Sequence, residues 1–195
     1  QWNPPTLIIL QENFETEEFP PSGWLLSSFG KGWQRAENPQ TLYWAIPPKT
    51  GAFALVNDDS ASVNNNGAQD WLVTPFLDLT AEEDFVLSFS SFFDGAFGQT
   101  AKVCYSIDSG FTWNDLLQIQ SSKTWQNISI DLSPFSGPQG ENSLLISFQS
   151  NDHDEHASGW AIDDVLINTN SNVNPPERYK VLLNGRQITY TFETK

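Results

Sequence analysis

The sequence predicts an all-β fold, an antiparallel β-sandwich, on three observations. Apolar and polar residues alternate over short stretches, clusters of Gly, Pro, Asn and Asp separate those stretches, and no segment carries a convincing helical period. The 195 residues are enough for one β-rich domain with a full core. Eight Trp and fourteen Phe with no Met make that core stiff and aromatic.

Nine stretches read as strands, in order: residues 6–15, 52–57, 71–79, 85–93, 101–107, 114–119, 125–132, 143–149 and 160–167. The period of two is plainest in 85–93, where Phe85, Leu87, Phe89 and Phe93 alternate with Val86, Ser88, Ser90 and Phe92. It recurs in 125–132, where Ile128, Ile130 and Leu132 alternate with Asn127, Ser129 and Asp131. Cys104, the only cysteine, sits between Val103 and Tyr105 and reads as a packing residue; no disulfide within the chain is possible. Between the next two strands, Ser106-Ile107-Asp108-Ser109-Gly110-Phe111-Thr112-Trp113 resembles an Asp-box, a hairpin whose Asp bonds turn amides while Trp packs beneath. After residue 167 the composition changes. Residues 169–176 read as a linker, and residues 177–195 as a hairpin turning on Asn184-Gly185. The chain thus divides into a domain at 1–168, that linker, and a hairpin too short to bury a core of its own.

The last strand, Gly159-Trp160-Ala161-Ile162-Asp163-Asp164-Val165-Leu166-Ile167, carries two carboxylates in an apolar run. Strict alternation would send Trp160, Ile162, Asp164 and Leu166 to one face and Ala161, Asp163, Val165 and Ile167 to the other. Whichever Asp is buried needs a partner. Nine Lys plus Arg stand against 24 Asp plus Glu, so a metal ion is a candidate for that partner. The net charge of −15 argues against nucleic acid and anionic membrane as partners, and no apolar run approaches the ~18 residues of a membrane span.

The order of motifs is also familiar. Glu12-Asn13-Phe14-Glu15 precedes Phe19-Pro20-Pro21-Ser22-Gly23-Trp24; Thr50-Gly51-Ala52-Phe53-Ala54-Leu55 and Trp71-Leu72-Val73-Thr74-Pro75-Phe76-Leu77-Asp78-Leu79 follow, and Gly159 to Val165 closes the series. This order resembles the cleaved-adhesin, or choice-of-anchor J, domain found in gingipain-type peptidases, and more distantly MAM domains and jelly-roll carbohydrate-binding modules. The resemblance covers roughly residues 10–168. It implies a jelly roll, a secreted or cell-surface setting, no catalytic site, and a structural calcium ion between the first and last strands. Carried over residue by residue, the ligands would be Glu15, the Asn13 carbonyl, Asp163 or Asp164, Thr50 and the Phe53 carbonyl, with Thr50 standing where some relatives carry an acid. The tail resembles the first strands of a fibronectin-III-like module.

Other constellations are weaker. Asn151-Asp152-His153-Asp154-Glu155-His156 gathers metal-ligating types, but without His-Glu-x-x-His spacing it reads as a solvated acidic loop. Asn57-Asp58-Asp59 are turn formers, with Asp58 or Asp59 open to a cation site. Trp33, Tyr43 and Trp44, in a long loop region, are the best candidates for stacking on a ligand. The function expected is a non-catalytic adhesion or substrate-targeting module of a larger secreted or surface bacterial protein. Its partners would be a glycan or protein of the host or environment and the neighbouring modules of its own chain. A carbohydrate-binding module attached to a glycoside hydrolase or peptidase is the alternative. An enzyme in its own right has little material, with two His in one loop and one ordinary Cys.

Overall fold

The alternating stretches pair into two antiparallel sheets whose apolar faces share one core. The structure, a computed structural model, describes residues 6–28, 30–39, 41–60, 69–169, 178–183 and 186–191. The strands are β1 (Ile8–Glu12), β2 (Leu25–Ser28), β3 (Trp33–Ala36), β4 (Phe53–Asn57), β5 (Gln69–Val73), β6 (Phe85–Phe93), β7 (Thr100–Ser106), β8 (Asn114–Gln118), β9 (Gln126–Asp131), β10 (Leu145–Asn151), β11 (Gly159–Thr169), β12 (Arg178–Leu183) and β13 (Arg186–Thr191). One sheet runs β3-β4-β11-β6-β9 with β1 also on β11, and the other runs β2-β5-β10-β7-β8.

The strands with strong alternation formed where expected, while β2 and β3 are additional. Both are four-residue strands at sheet edges: every β2 position is exposed, and β3 carries Gln34 and Arg35. Neither has the alternation of buried and exposed positions that marks a strand in sequence, and each is drawn into a ladder by a buried neighbour. The expected strand at 71–79 ends early, at Val73. Pro75 has no N–H for a ladder, and only Leu77 pairs again, with Leu144.

Between the sheets lie Leu72, Phe85, Leu87, Phe89, Val103, Ile146, Phe148 and Trp160, all buried. Trp33 meets Trp160 edge-on, with ring centres 5.2 Å apart. Each indole nitrogen finds an acceptor, Trp33 Nε1 donating to the Asp70 carbonyl at 3.1 Å and Trp160 Nε1 to Ser91 Oγ at 2.9 Å. A second apolar layer of Trp44, Phe53, Leu55 and Phe92, with Trp125 against it, forms a separate cluster. Trp44 and Phe92 stack almost parallel in it, 5.9 Å apart.

In the tail, β12 and β13 form their own antiparallel pair, with Leu183 opposite Arg186. The expected Asn184-Gly185 turn and residues 170–177, most of the expected linker, lie outside the described residues.

Candidate functional site

The path of β11 creates the site. Along one edge it pairs with β6; along the other, β4 and β1 are laid end to end, β4 against Gly159–Ile162 and β1 against Val165–Asn168. The junction falls at Asp163 and Asp164. There the ladder to β6 slips by one residue, and Asp164 takes a left-handed φ of 52°. This bulge changes the strand's phase, so Val165 and Ile167 join Trp160 and Ile162 in the core. Strict alternation from the sequence missed it: neither Asp faces the core, Asp163 being buried at the junction and Asp164 exposed.

The chain leaving β1 and the chain entering β4 meet at the same place. Glu15 Oε1 accepts the Ala52 N–H at 3.2 Å, against Gly51, where an added Cβ would stand 1.9 Å from that oxygen. Gly51 has φ +85°, so glycine is required both for space and for backbone. Asn13 Oδ1 accepts the Glu15 N–H at 3.4 Å. Arg35 donates from Nε to the Phe14 carbonyl at 2.9 Å and from Nη2 to the Glu15 carbonyl at 3.2 Å. Phe14 itself has φ 55°, a second strained backbone at this junction.

The buried carboxylate does have a cation. Lys49 Nζ lies 3.2 Å from Asp163 Oδ2 and 2.9 Å from Asp164 Oδ2. Burial pushes Asp163 up to about 6, against the Asp164 N–H on its Oδ1 at 2.7 Å and the Lys49 ammonium. Burial works to lower Lys49, but its bonds to Asp164 and Asp163 outweigh that and raise it. Sequence reasoning missed Lys49 because it belongs to a Pro-Pro-Lys-Thr loop with no local tie to the strand it neutralises.

Of the six residues expected to hold calcium, Glu15 and the Asp163-Asp164 pair both contact the segment of residues 49–52 that also carries Thr50. Asn13 bonds the Glu15 amide, and the Phe53 ring packs on Trp125. The oxygen donors suit calcium in kind. However, Asp163 and Asp164 share the Lys49 ammonium, and Arg35 engages the Phe14 and Glu15 carbonyls. A cation between the two Asp would have to displace Lys49. Among the described residues, no three Asp, Glu, His or Cys side chains converge closely enough to hold a metal by themselves.

The expected aromatic platform is corrected. Trp33 is 2% and Trp44 8% exposed, both packed into apolar clusters, so neither can stack on a ligand. Tyr43 is 67% exposed. Its ring meets His156 edge-on at 5.1 Å, and Phe97, also exposed, meets the other partner of that contact, His156, at 5.0 Å. Asp59 Oδ2 accepts the N–H groups of Leu42 and Tyr43 and so fixes the loop that presents this ring. Phe97 carried no sequence signal and His156 stood out only as a metal-ligating type in the acidic 151–156 loop; the ring group itself was not legible, because three separate loops bring it together. A cleft of about 430 Å³ lies elsewhere, between Ala45–Pro48 and Ser122–Lys123, and is lined also by Phe92 and Asp94.

The Asp-box has the geometry its sequence implies. Asp108 Oδ1 accepts from the Thr112 N–H at 2.9 Å, Oδ2 from the Thr112 hydroxyl at 2.6 Å, and Trp113 packs edge-on against Trp71. Cys104 is buried, and burial first, then its bond to Asp115, pushes its thiol up to about 12. Such a thiol is not a nucleophile at neutral pH.

The Reelin subrepeat B family matches residues 49–168, a span that takes in Lys49, Thr50, Phe53, Asp163 and Asp164. No curated protein matches the chain by sequence. Among solved structures, the K1 cleaved adhesin domain of Lys-gingipain from Porphyromonas gingivalis W83 is similar with a TM-score of 0.59 at 19% identity, covering 86% of this chain and 99% of that one. The K2 cleaved adhesin domain of Lys-gingipain gives 0.56 at 14% identity, covering 81% and 98%. TmCBM61, solved in complex with beta-1,4-galactotriose, gives 0.50 at 20% identity, covering 80% and 93%. At such identities the likeness is one of fold. The chain has the cleaved-adhesin jelly roll.

Proposed function

The chain belongs to the Reelin subrepeat B family, and from that premise we propose that it is a non-catalytic binding module, an extracellular adhesion or substrate-targeting unit of a larger secreted or cell-surface bacterial protein. The observation that carries this reading is the exposed ring group of Tyr43, Phe97 and His156 at one loop end of the sandwich. Exposed aromatic rings give large contact area for little conformational entropy, and their faces suit both the apolar side of a pyranose and a protein surface. The one thiol is buried, and His156 packs between two rings. A carbohydrate ligand is the second reading, supported by the cleft and rings on a scaffold shared with a galactotriose-bound module.

A calcium ion at the β1–β4 junction belongs to the same proposal. Glu15, the Asn13 and Phe53 carbonyls, Thr50 and one of Asp163 or Asp164 would hold it, and it would tie the first strand to the last. Its support is the convergence of these segments and the two strained residues, Phe14 and Asp164. In thermal unfolding, chelator should lower the melting temperature, and Glu15→Gln should remove that dependence, whereas Glu141→Gln should not.

A glycan-array and extracellular-matrix screen tests the binding reading. Saturable binding, lost in both Tyr43→Ala and Phe97→Ala, is the expected result. Turnover of a glycoside or peptide that disappears on changing His153 or His156 would overturn it.

A further inference from the structure

The open edges of the two sheets are not alike. Among the described residues β1, β3, β8 and β9 each leave one side unpaired, and each carries a charged side chain: Glu12, Arg35, Asp115 and Asp131 in turn. A charge on an edge strand resists the approach of another strand, because pairing would strip it of water beside the ladder. β2, at the edge of the second sheet, reads Leu-Leu-Ser-Ser. It has no charge and no proline, and its ladder has no bulge, since Leu25 to Ser28 pair in unbroken register with Val73 to Asp70. Its other side is a row of main-chain N–H and C=O groups that pairs with no strand among the described residues.

The side chains of β2 are as uncovered as that row. All four positions are exposed, Leu25 at 60% and Leu26 at 41%. Leu26 stands opposite Leu72, a core residue, so it points toward the space between the sheets, and its exposure marks an open mouth there. Leu25 stands opposite Val73 and points to the outer face. Phe76, also exposed, lies just beyond Val73, and Pro75 beside it packs 3.2 Å from where a Cβ on Gly23 would stand, immediately ahead of β2. A lone exposed leucine is ordinary on a protein surface. Here apolar side chains flank a free backbone edge on both of its faces.

We propose that the β2 edge is a docking site for an extended segment of a partner protein, which joins the second sheet as a further strand beside β2. Main-chain hydrogen bonds to Leu25–Ser28 would hold its backbone. Two consecutive apolar side chains would cover Leu25 on the outside and Leu26 at the mouth of the core, with small residues passing Ser27 and Ser28. Charge sets the rest of its chemistry. At −15 the chain repels a second copy of itself and any acidic segment, and favours a neutral or basic one. None of Tyr43, Phe97 and His156 belongs to this edge, so it stands whether or not the ring group binds a ligand.

The test is an NMR titration of the isotope-labelled 195-residue chain with a terminally blocked peptide, Lys-Thr-Ser-Val-Leu-Thr-Ser-Lys, which presents the apolar pair and small neighbours in either strand direction. Saturable shifts should centre on the Leu25–Ser28 amides. Replacing both lysines of the peptide by glutamate, or its leucine by proline, should weaken binding about tenfold or more. Leu25→Lys, at an exposed position, should weaken it about as much without loss of the fold. Tyr43→Ala should leave it unchanged. Absent shifts, shifts centred on another strand, or equal binding of the proline peptide would overturn the proposal. Self-association of the chain that Leu25→Lys abolishes would assign the edge to a second copy, and shifts of the same amides by galactotriose but not by the peptide would assign it to a sugar; either result also overturns it.

Discussion

At the β1–β4 junction, Asp163 is buried and meets an ammonium, Lys49, 3.2 Å away. At the polar end of the sandwich, Asp58, Asp70 and Asp152 are buried to a similar degree and meet a hydroxyl, an amide and one another. The first region carries its compensating charge within the chain. The second concentrates negative charge in a protein whose net charge is already −15. Burial alone therefore does not say how a carboxylate is held; the groups that face it do.

Removing one charge from each region should have opposite consequences. Lys49→Ala leaves Asp163 buried with no ammonium, which should cost about 2–3 kcal/mol, less than a fully enclosed pair because Lys49 is partly exposed. For a chain of this size that is a fall in melting temperature of roughly 5–10 °C. Asp58→Asn, in chelator, should instead add about 1 kcal/mol, because it removes a charge disfavoured first by burial and then by repulsion from Asp70 and Asp152. Parallel melts of the two variants decide the matter. Two destabilised proteins would mean that Asp58 is held by something other than the groups around it, and the contrast would be lost.

Gly51→Ala sharpens the first region. The new Cβ would fall on Glu15 Oε1, and alanine resists a φ of +85°. A loss of about 1–2 kcal/mol is expected. The informative readout is calcium dependence: if Glu15 is a ligand, displacing its carboxylate should reduce the calcium response of the junction.

How much of this was legible follows from the range of each interaction. The strands around the core were readable because Phe85 to Phe93 and Ile128 to Leu132 repeat with the period of a pleat, a property of neighbours in sequence. The edge strands β2 and β3 were not, since their pairing is imposed by β5 and β4. The Asp-box was readable for the same local reason. Asp163 and Glu15 stood out as acids in apolar runs, whereas Lys49, 115 residues from Asp164, did not. Asp152 was read as part of a solvated loop; in the fold it turns inward, and nothing in residues 151–156 foretells the facing Gln99 and Asp58.

The smallest effect concerns a third way of holding a carboxylate. Asp108 is at the surface, half-exposed and in no ion pair among the described residues; hydrogen bonds outweigh the small opposing effect of burial on it. The Thr112 hydroxyl first, then the Thr112 N–H and the Ser106 hydroxyl, hold it down at about 2, against an ordinary value of 3.8. Because the folded value lies below the unfolded one, the stabilisation is fully present above about pH 4 and is lost as pH falls through about 2. In solvent this should loosen the β7–β8 turn without melting the sandwich. A carboxyl-carbon NMR titration of Asp108, followed alongside hydrogen exchange of the Thr112 amide, reads both events. The amide should lose protection as the carboxylate protonates, and in Asp108→Asn its protection should no longer vary across that window. Titration of Asp108 near 4 would mean that the turn's hydrogen bonds do not favour the charged form, leaving the ion pair of Asp163 with Lys49 as the clearer case of a stabilised acid in this chain.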